Sequence, residues 1–306
     1  MKKLFYFIFL CLTSLLSPVN AQDLQLFRIY EFAKENNDTV AFISLSDIYP
    51  LSDHPDSLPI PGKLENARHV NLEAKYRKML LDGSKVSETD KVFIYDYAND
   101  ILQTFAVKDL PAAAWLTVYE NPDECPCSHH YYMIGFEINR KLLKGFTTHN
   151  YTTLIYIGKK SPFIRGKLNP ITWKEIEPEE YHTAIAEIKD TAGLPTPARG
   201  QVYAYETEEL QYFVQDESLN GISLDRYLLI LKTKTKEIVY KHKYSDGESS
   251  SPAPLNAEYH EQWTGPLFKN KPTVIFGFTY HSFGCPYITV LGEPVSYIGI
   301  NCDNRH

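Results

Sequence analysis

The chain has 306 residues, 43% of them apolar, with 31 Lys and Arg against 38 Asp and Glu and a formal charge of -7. This is the balance of a globular protein and excludes a disordered or fibrous one. The net negative charge offers no attraction for phosphate backbones or anionic lipid, so nucleic acid is not an expected partner.

Lys2 and Lys3 precede a nearly unbroken apolar run from Leu4 to Leu16, and Ser17, Pro18, Val19, Asn20 and Ala21 follow with a helix breaker and small residues. This pattern predicts a cleaved secretory signal over residues 1–21, and hence a periplasmic or extracellular protein. The run is shorter than the roughly 20 apolar residues a bilayer span needs, and no later segment approaches that length. No transmembrane segment is therefore expected in the mature chain. Cys11 follows bulky Phe9 and Leu10 and sits inside the apolar run, unlike a lipid-attachment cysteine. Cleavage takes away two lysines and one of five cysteines, moving the formal charge from -7 to -9 and leaving Cys125, Cys127, Cys285 and Cys302.

Beyond the signal, residues 24–34 are ambiguous between helix and strand. A proline-rich stretch at 49–62 excludes regular structure. Residues 64–81 carry apolar positions among charges and end at Asp82-Gly83, predicting an amphipathic helix. Residues 92–97 and 101–107 read as a hairpin around Ala98-Asn99-Asp100. Asp109 as N-cap with Pro111 behind it predicts a short apolar helix to Val118. Strands are expected at 131–138 and 152–157, and a helix at 178–189, opened by Glu179 and Glu180 and closed before Gly193.

A second proline-rich stretch, 194–200, divides a β-rich N-terminal half (22–193) from a β-rich C-terminal half (201–306), either separate or packed as one domain. In the second half, strands are expected at 202–205, 210–215, 227–233, 237–244, 273–280, 287–291 and 295–300. The loop at 245–255 is a surface excursion. The fold class predicted is α+β and β-dominated, with antiparallel sheets and about three short helices. Each half holds a Gly-Phe pair within a predicted strand, Gly135-Phe136 and Gly277-Phe278, which makes a two-fold internal duplication a candidate.

The densest chemical cluster is Cys125, Cys127, His129 and His130, matched in the second half by His281 and Cys285. Thiolates and imidazoles suit zinc or copper. However, one proline between Cys125 and Cys127 is closer than zinc-site spacing, and exported cysteines tend to be oxidised. Disulfides are the favoured reading. Opposing the two Gly-Phe strands would place Cys127 beside Cys285 and leave Cys125 for Cys302, tying the halves together. The local alternative pairs Cys285 with Cys302 and Cys125 with Cys127.

No nucleophile elbow, Ser-x-x-Lys pair, zinc-protease helix or phosphate loop occurs, and no cofactor is expected. Three acidic groups read as solvated surface: Glu177, Glu179, Glu180 and His182 at a helix start, Asp96 and Asp100 at a hairpin turn, and Asp53, His54 and Asp56 in a loop. Trp115, Trp173 and Trp263 are candidate platforms for a glycan. The function expected is that of an exported bacterial protein with no catalytic role, binding a protein or glycan partner in the cell envelope. The alternative is an exported hydrolase or metal-dependent enzyme centred on His129, His130 and His281.

Overall fold

The computed structural model describes residues 24–34, 38–50, 67–117, 119–120, 129–147, 152–186, 188, 200–219, 222–257 and 261–303. The predicted signal, Cys125, Cys127 and the loop with Asp53, His54 and Asp56 lie outside them.

The first half supplies β1 (Leu26–Phe27), β2 (Ile29–Ala33), β3 (Thr39–Ser44), β4 (His69–Asn71), α1 (Ala74–Ser84), β5 (Lys91–Asp96), β6 (Ile101–Ala106), β7 (Ala112–Leu116), β8 (Tyr132–Asn139), β9 (Thr153–Gly158), β10 (Asn169–Pro170), β11 (Lys174–Ile176) and α2 (Pro178–Ala186). The second supplies β12 (Gln201–Glu206), β13 (Leu210–Leu219), β14 (Ile222–Lys232), β15 (Ile238–Ser245), β16 (Ser250–Pro252), β17 (Trp263–Gly265), β18 (Val274–Phe276), β19 (Thr279–His281), β20 (Tyr287–Val290) and β21 (Ser296–Asn301). The protein is β-dominated α+β, with two α-helices among the described residues.

A nine-stranded sheet in the order β10-β17-β18-β20-β21-β1-β9-β5-β6 draws strands from both sides of the 194–200 stretch. Its pairs are antiparallel except β1 with β21, where Leu26 lies opposite Ile300. At β5 this sheet is buried on both faces, which explains why that strand reads as a continuous apolar run. Val92 and Ile94 point into one core, with Ile43, Phe136 and Leu80 of α1. Phe93 and Tyr95 point into another, with Phe163, Phe268 and Ile288. Each large apolar side chain buried this way stabilises the fold by about 1.5–3 kcal/mol.

A five-stranded antiparallel sheet, β2-β3-β8-β7-β4, packs its other side on the first core. The meander β11-β12-β13-β14-β15 is covered on one face by Tyr181 and Ile185 of α2. Its opposite face packs Tyr212, Val214 and Ile230 against Trp173, Ile275 and Phe278. Arg226, 1% exposed, is held there by both carboxylate oxygens of Asp216 at 2.6 and 2.7 Å and by the carbonyl of Ala253.

Three departures from sequence expectation concern the helices and the candidate duplication, and a fourth is strand β16, which lies inside the expected surface loop 245–255 and pairs with β19. The helix expected from Asp109 to Val118 is a 3-10 turn (Val107–Asp109) followed by strand β7. Three alanines favour a helix, but β7 is wedged between β8 and β4, and pairing on both edges overrides propensity. The helix expected over 64–81 begins only at Ala74, because His69–Asn71 is already paired with β7.

The Gly-Phe pairs, third, are not equivalent. Gly135 lies inside β8 against β3, where a Cβ would stand 1.9 Å from the Ile43 carbonyl oxygen. Gly277 instead ends β18 at φ +85, splitting the expected strand 273–280 in two. The two segments lie in different sheets and are not paired, so nothing brings the vicinity of Cys127 to Cys285 by that route. Cys285 is bonded to Cys302, which corrects the cross-half pairing of Cys127 with Cys285 and Cys125 with Cys302. The reason is local: Tyr287 lies opposite Gly299, so the β20–β21 hairpin carries the two cysteines together at its open end.

Candidate functional site

The split at Gly277 opens a cleft. Val274 and Ile275 pair with Val290 and Thr289, but beyond Phe276 the chain swings away and resumes as β19, paired with β16. Only glycine suits this exit, since φ is +85 and a Cβ would lie 2.6 Å from the Glu261 carbonyl oxygen. Tyr287 and Ile288 are left paired on one side only, with β21. The space between is a cleft of about 360 Å³.

Aromatic side chains form its walls. Tyr97 meets Trp263 and Phe276 edge-on, at 5.0 and 5.3 Å between ring centres. Tyr244 stacks on Phe278 at 5.8 Å, and Tyr287 stands edge-on to His281 at 6.0 Å. Tyr280 lies at the mouth, 47% exposed. Burial pushes the Tyr97, Tyr244 and Tyr287 phenols above their ordinary range, so they are neutral hydrogen-bonding groups at pH 7. Burial also lowers the pKa of His281, which favours the neutral imidazole.

Three polar lining residues have side chains with no hydrogen bond or ion pair among the described residues. Thr153 is 6% exposed, and its hydroxyl has no hydrogen-bond partner among the described residues. Such a buried group costs about 1–3 kcal/mol unless something satisfies it. Arg28 and Glu261 are exposed lining residues of opposite charge, and neither forms an ion pair within the described residues.

The disulfide borders this site. Gly284 and Pro286, on either side of Cys285, line the cleft, as does Ile300, two residues before Cys302. Beyond Cys302 the chain is clamped to the other sheet. Ser44 Oγ donates to Asp303 Oδ2 at 2.5 Å, the Asp303 N–H donates to Asp47 Oδ2 at 2.8 Å, and the Tyr30 hydroxyl donates to the Cys302 carbonyl.

His281 is the one predicted site residue in the cleft besides the Cys285–Cys302 rim. His129 and His130 lie on a 3-10 turn (His129–Tyr131) leading into β8, in the five-stranded sheet, whereas His281 is on β19. No group of three or more His, Cys, Asp or Glu among the described residues is arranged to hold a metal ion. Trp115, Trp173 and Trp263 are 4–6% exposed, so they are core residues and not open platforms for a glycan. Glu177, Glu179 and Glu180 are exposed at the start of α2, with His182 half-buried.

Asp96 departs from the surface reading. It is fully buried and accepts from Asn99, from Thr147 through its N–H and hydroxyl, and from Thr152. Burial alone would raise its pKa, and these hydrogen bonds outweigh that and hold it below the usual carboxylate value.

A second polar centre carried no sequence signal. Glu137 of β8 is 3% exposed, on the face of the five-stranded sheet turned from the first core. Its Oε2 accepts from Lys34 Nζ at 2.6 Å, its Oε1 accepts from Trp115 Nε1 at 2.7 Å, and His69 Nε2 lies 2.8 Å away. Burial would raise the Glu137 pKa, but His69, Lys34 and Trp115 together lower it. A lone glutamate among apolar strand residues gave no hint of this, because its partners come from β7, β4 and the end of β2.

Fold and site together define a β-dominated α+β protein with an aromatic cleft cut into the margin between two sheets. Comparison with protein-family models, with curated proteins and with solved structures finds no match for this chain. The molecule's own chemistry is therefore the basis for reading its role.

Proposed function

We propose that the protein is exported to the cell envelope or beyond and serves there as a non-catalytic binding protein, with the Gly277 cleft as its ligand site. The observation that carries this reading is the aromatic cleft of about 360 Å³, whose lining includes Arg28 and Glu261, exposed and without an ion pair among the described residues. Exposed charges beside a concave aromatic lining are suited to orienting a ligand. The export half of the proposal rests on the pattern of residues 1–21, and the Cys285–Cys302 bond is compatible with an oxidising compartment.

The test is expression of the full chain in a bacterial host, followed by fractionation, N-terminal sequencing, thiol titration and metal analysis. The expected product starts at Gln22, lies outside the cytoplasm and shows no free thiol at Cys285 or Cys302. An uncleaved cytoplasmic chain would overturn export. Stoichiometric zinc or copper with four free thiols would replace the binding reading with the enzyme centred on His129, His130 and His281.

A further inference from the structure

We infer that the cleft takes a short linear peptide of about two to four residues with both termini free, its ammonium group at Glu261 and its carboxylate at Arg28. This assignment rests on the reading of the cleft as a ligand site and adds the chemical class. Charge, backbone and wall select it.

Charge comes first. Burial favours the neutral imidazole of His281, so the described lining presents one cation, Arg28, and one anion, Glu261. Both side chains are exposed, and neither forms an ion pair or a side-chain hydrogen bond among the described residues. Nor do they meet each other: Arg28 follows β1 and Glu261 precedes β17, four positions away in the order of the nine-stranded sheet. A single α-amino acid holds both its charges on one carbon, whereas a peptide separates them by about 3.3–3.6 Å for each residue. The guanidinium offers a carboxylate a pair of parallel hydrogen bonds, and the glutamate accepts from an ammonium group. A ligand of one sign would instead set a like charge against Arg28 or Glu261.

The backbone is the second feature. Leu291 N–H donates to the Thr273 carbonyl and Ile300 N–H donates to the Pro286 carbonyl, so the alternation along β20 turns the N–H and C=O of Tyr287 to the side that β18 has left. Gly277 stands next in that register, but its carbonyl accepts from the Gln262 side chain instead. Neither backbone group of Tyr287 has a backbone partner among the described residues. One residue of a bound peptide carries the matching C=O and N–H. Ile288 turns its own groups to β21, so this edge is a single residue long and suits a short peptide, not a strand of a folded partner. The wall is third. Tyr97 and Phe276 are half-buried lining residues that meet edge-on at 5.3 Å between ring centres, and their remaining surface suits an apolar peptide side chain. The volume of about 360 Å³ lies at the small end of ligand pockets, which limits the peptide to a few residues.

The experiment is titration calorimetry of the mature chain against Ala-Phe, Ala-Phe-Ala, Ala-Leu-Ala, Ala-Ala-Ala and Ala-Phe-Ala-Ala. Each peptide is also used N-acetylated, C-amidated and blocked at both ends, with free phenylalanine as a comparator. Arg28→Gln and Glu261→Gln are run beside the wild type, with thermal melts to establish that both are folded. The expected result is saturable binding of at least one free peptide, weakened about tenfold or more by blocking either terminus, in line with the loss of a charge-assisted hydrogen bond. Acetylation is expected to cost nothing further in Glu261→Gln, and amidation nothing further in Arg28→Gln, which assigns each terminus to its partner. Binding of none of the peptides, or equal binding of the free and doubly blocked forms, overturns the assignment. Phenylalanine bound more tightly than every peptide, and weakened in both variants, leaves the cleft standing as a ligand site while the peptide class falls. Peptide binding that is undiminished in both variants moves the site elsewhere and removes the cleft reading itself.

Discussion

Two polar regions of this protein are built in opposite ways. Around Glu137, both carboxylate oxygens are engaged by Lys34 and Trp115, with His69 at 2.8 Å, and the whole is packed beneath Phe32, whose ring stacks on Trp115 at 4.6 Å. At the cleft, the Thr153 hydroxyl is buried with no hydrogen-bond partner among the described residues, and Arg28 and Glu261 are exposed without an ion pair among them. The first gathers its charged partners within the chain, with His69 Nε2 close to the carboxylate but not in hydrogen-bonding geometry. The second leaves its charged groups open to solvent. The contrast separates charged groups matched within the chain from those open to solvent more sharply than residue type does, since both regions contain a histidine, a carboxylate and a cation.

The largest expected effect is on the closed side. Glu137→Ala strands the Lys34 ammonium and the Trp115 N–H, and is expected to cost about 3 kcal/mol, the low end for a broken buried pair because Lys34 is partly exposed. Urea unfolding measures it. The carboxylate's folded pKa is below its ordinary 4.5, so its contribution is fully present above that value and lost as pH falls through the lowered one. The gap between wild type and Glu137→Gln should accordingly shrink as pH falls below about 4. A gap independent of pH would show that Glu137 is not held as an anion.

Next in size is the joint between the regions. Replacing Cys285 and Cys302 together by serine opens a link of sequence separation 17 and is expected to cost about 2–4 kcal/mol, read as a lower urea midpoint. Because the same link borders the cleft and precedes the Asp303 clamp, hydrogen exchange should quicken at Tyr287 and at Asp303 together. Faster exchange at only one of them would break the connection drawn between the clamp and the cleft.

The smallest effect is the most discriminating. Thr153→Val removes a buried hydroxyl that has no partner among the described residues, so the melting temperature should stay level or rise slightly, by the equivalent of at most about 1 kcal/mol. A loss above about 1 kcal/mol would mean that Thr153 belongs with Glu137 as a structural polar group.

Much of the β framework was legible before any coordinates. The hairpins of β5 with β6 and of β14 with β15 follow from β-branched and aromatic runs interrupted by turn residues, with Asp100 and Lys236 at positive φ where the chain reverses. Helix α2 follows from Pro178, two acidic residues and helical spacing, all of which act within one turn or two. The sequence misled where local preference and tertiary pairing disagree. Ala112–Ala114 favours a helix alone and a strand between β8 and β4, and Gly277 looks like an ordinary strand residue until its carbonyl neighbour from Glu261 is in place.

By itself, then, the sequence determined the β-dominated class, most of the strands and the four cysteines that remain after residue 21, because these depend on periodicity, turn chemistry and composition over a few neighbouring residues. Only the tertiary structure decided which cysteine meets Cys285, that Trp115, Trp173 and Trp263 are buried, and that Thr153 and His281 share a cleft with Arg28 and Glu261. Those facts depend on which strands lie side by side. Arg28 and Glu261 are more than 200 residues apart, and no local preference specifies their meeting; the pairing of β1 with β21, and the departure of the chain at Gly277, bring them to one cleft.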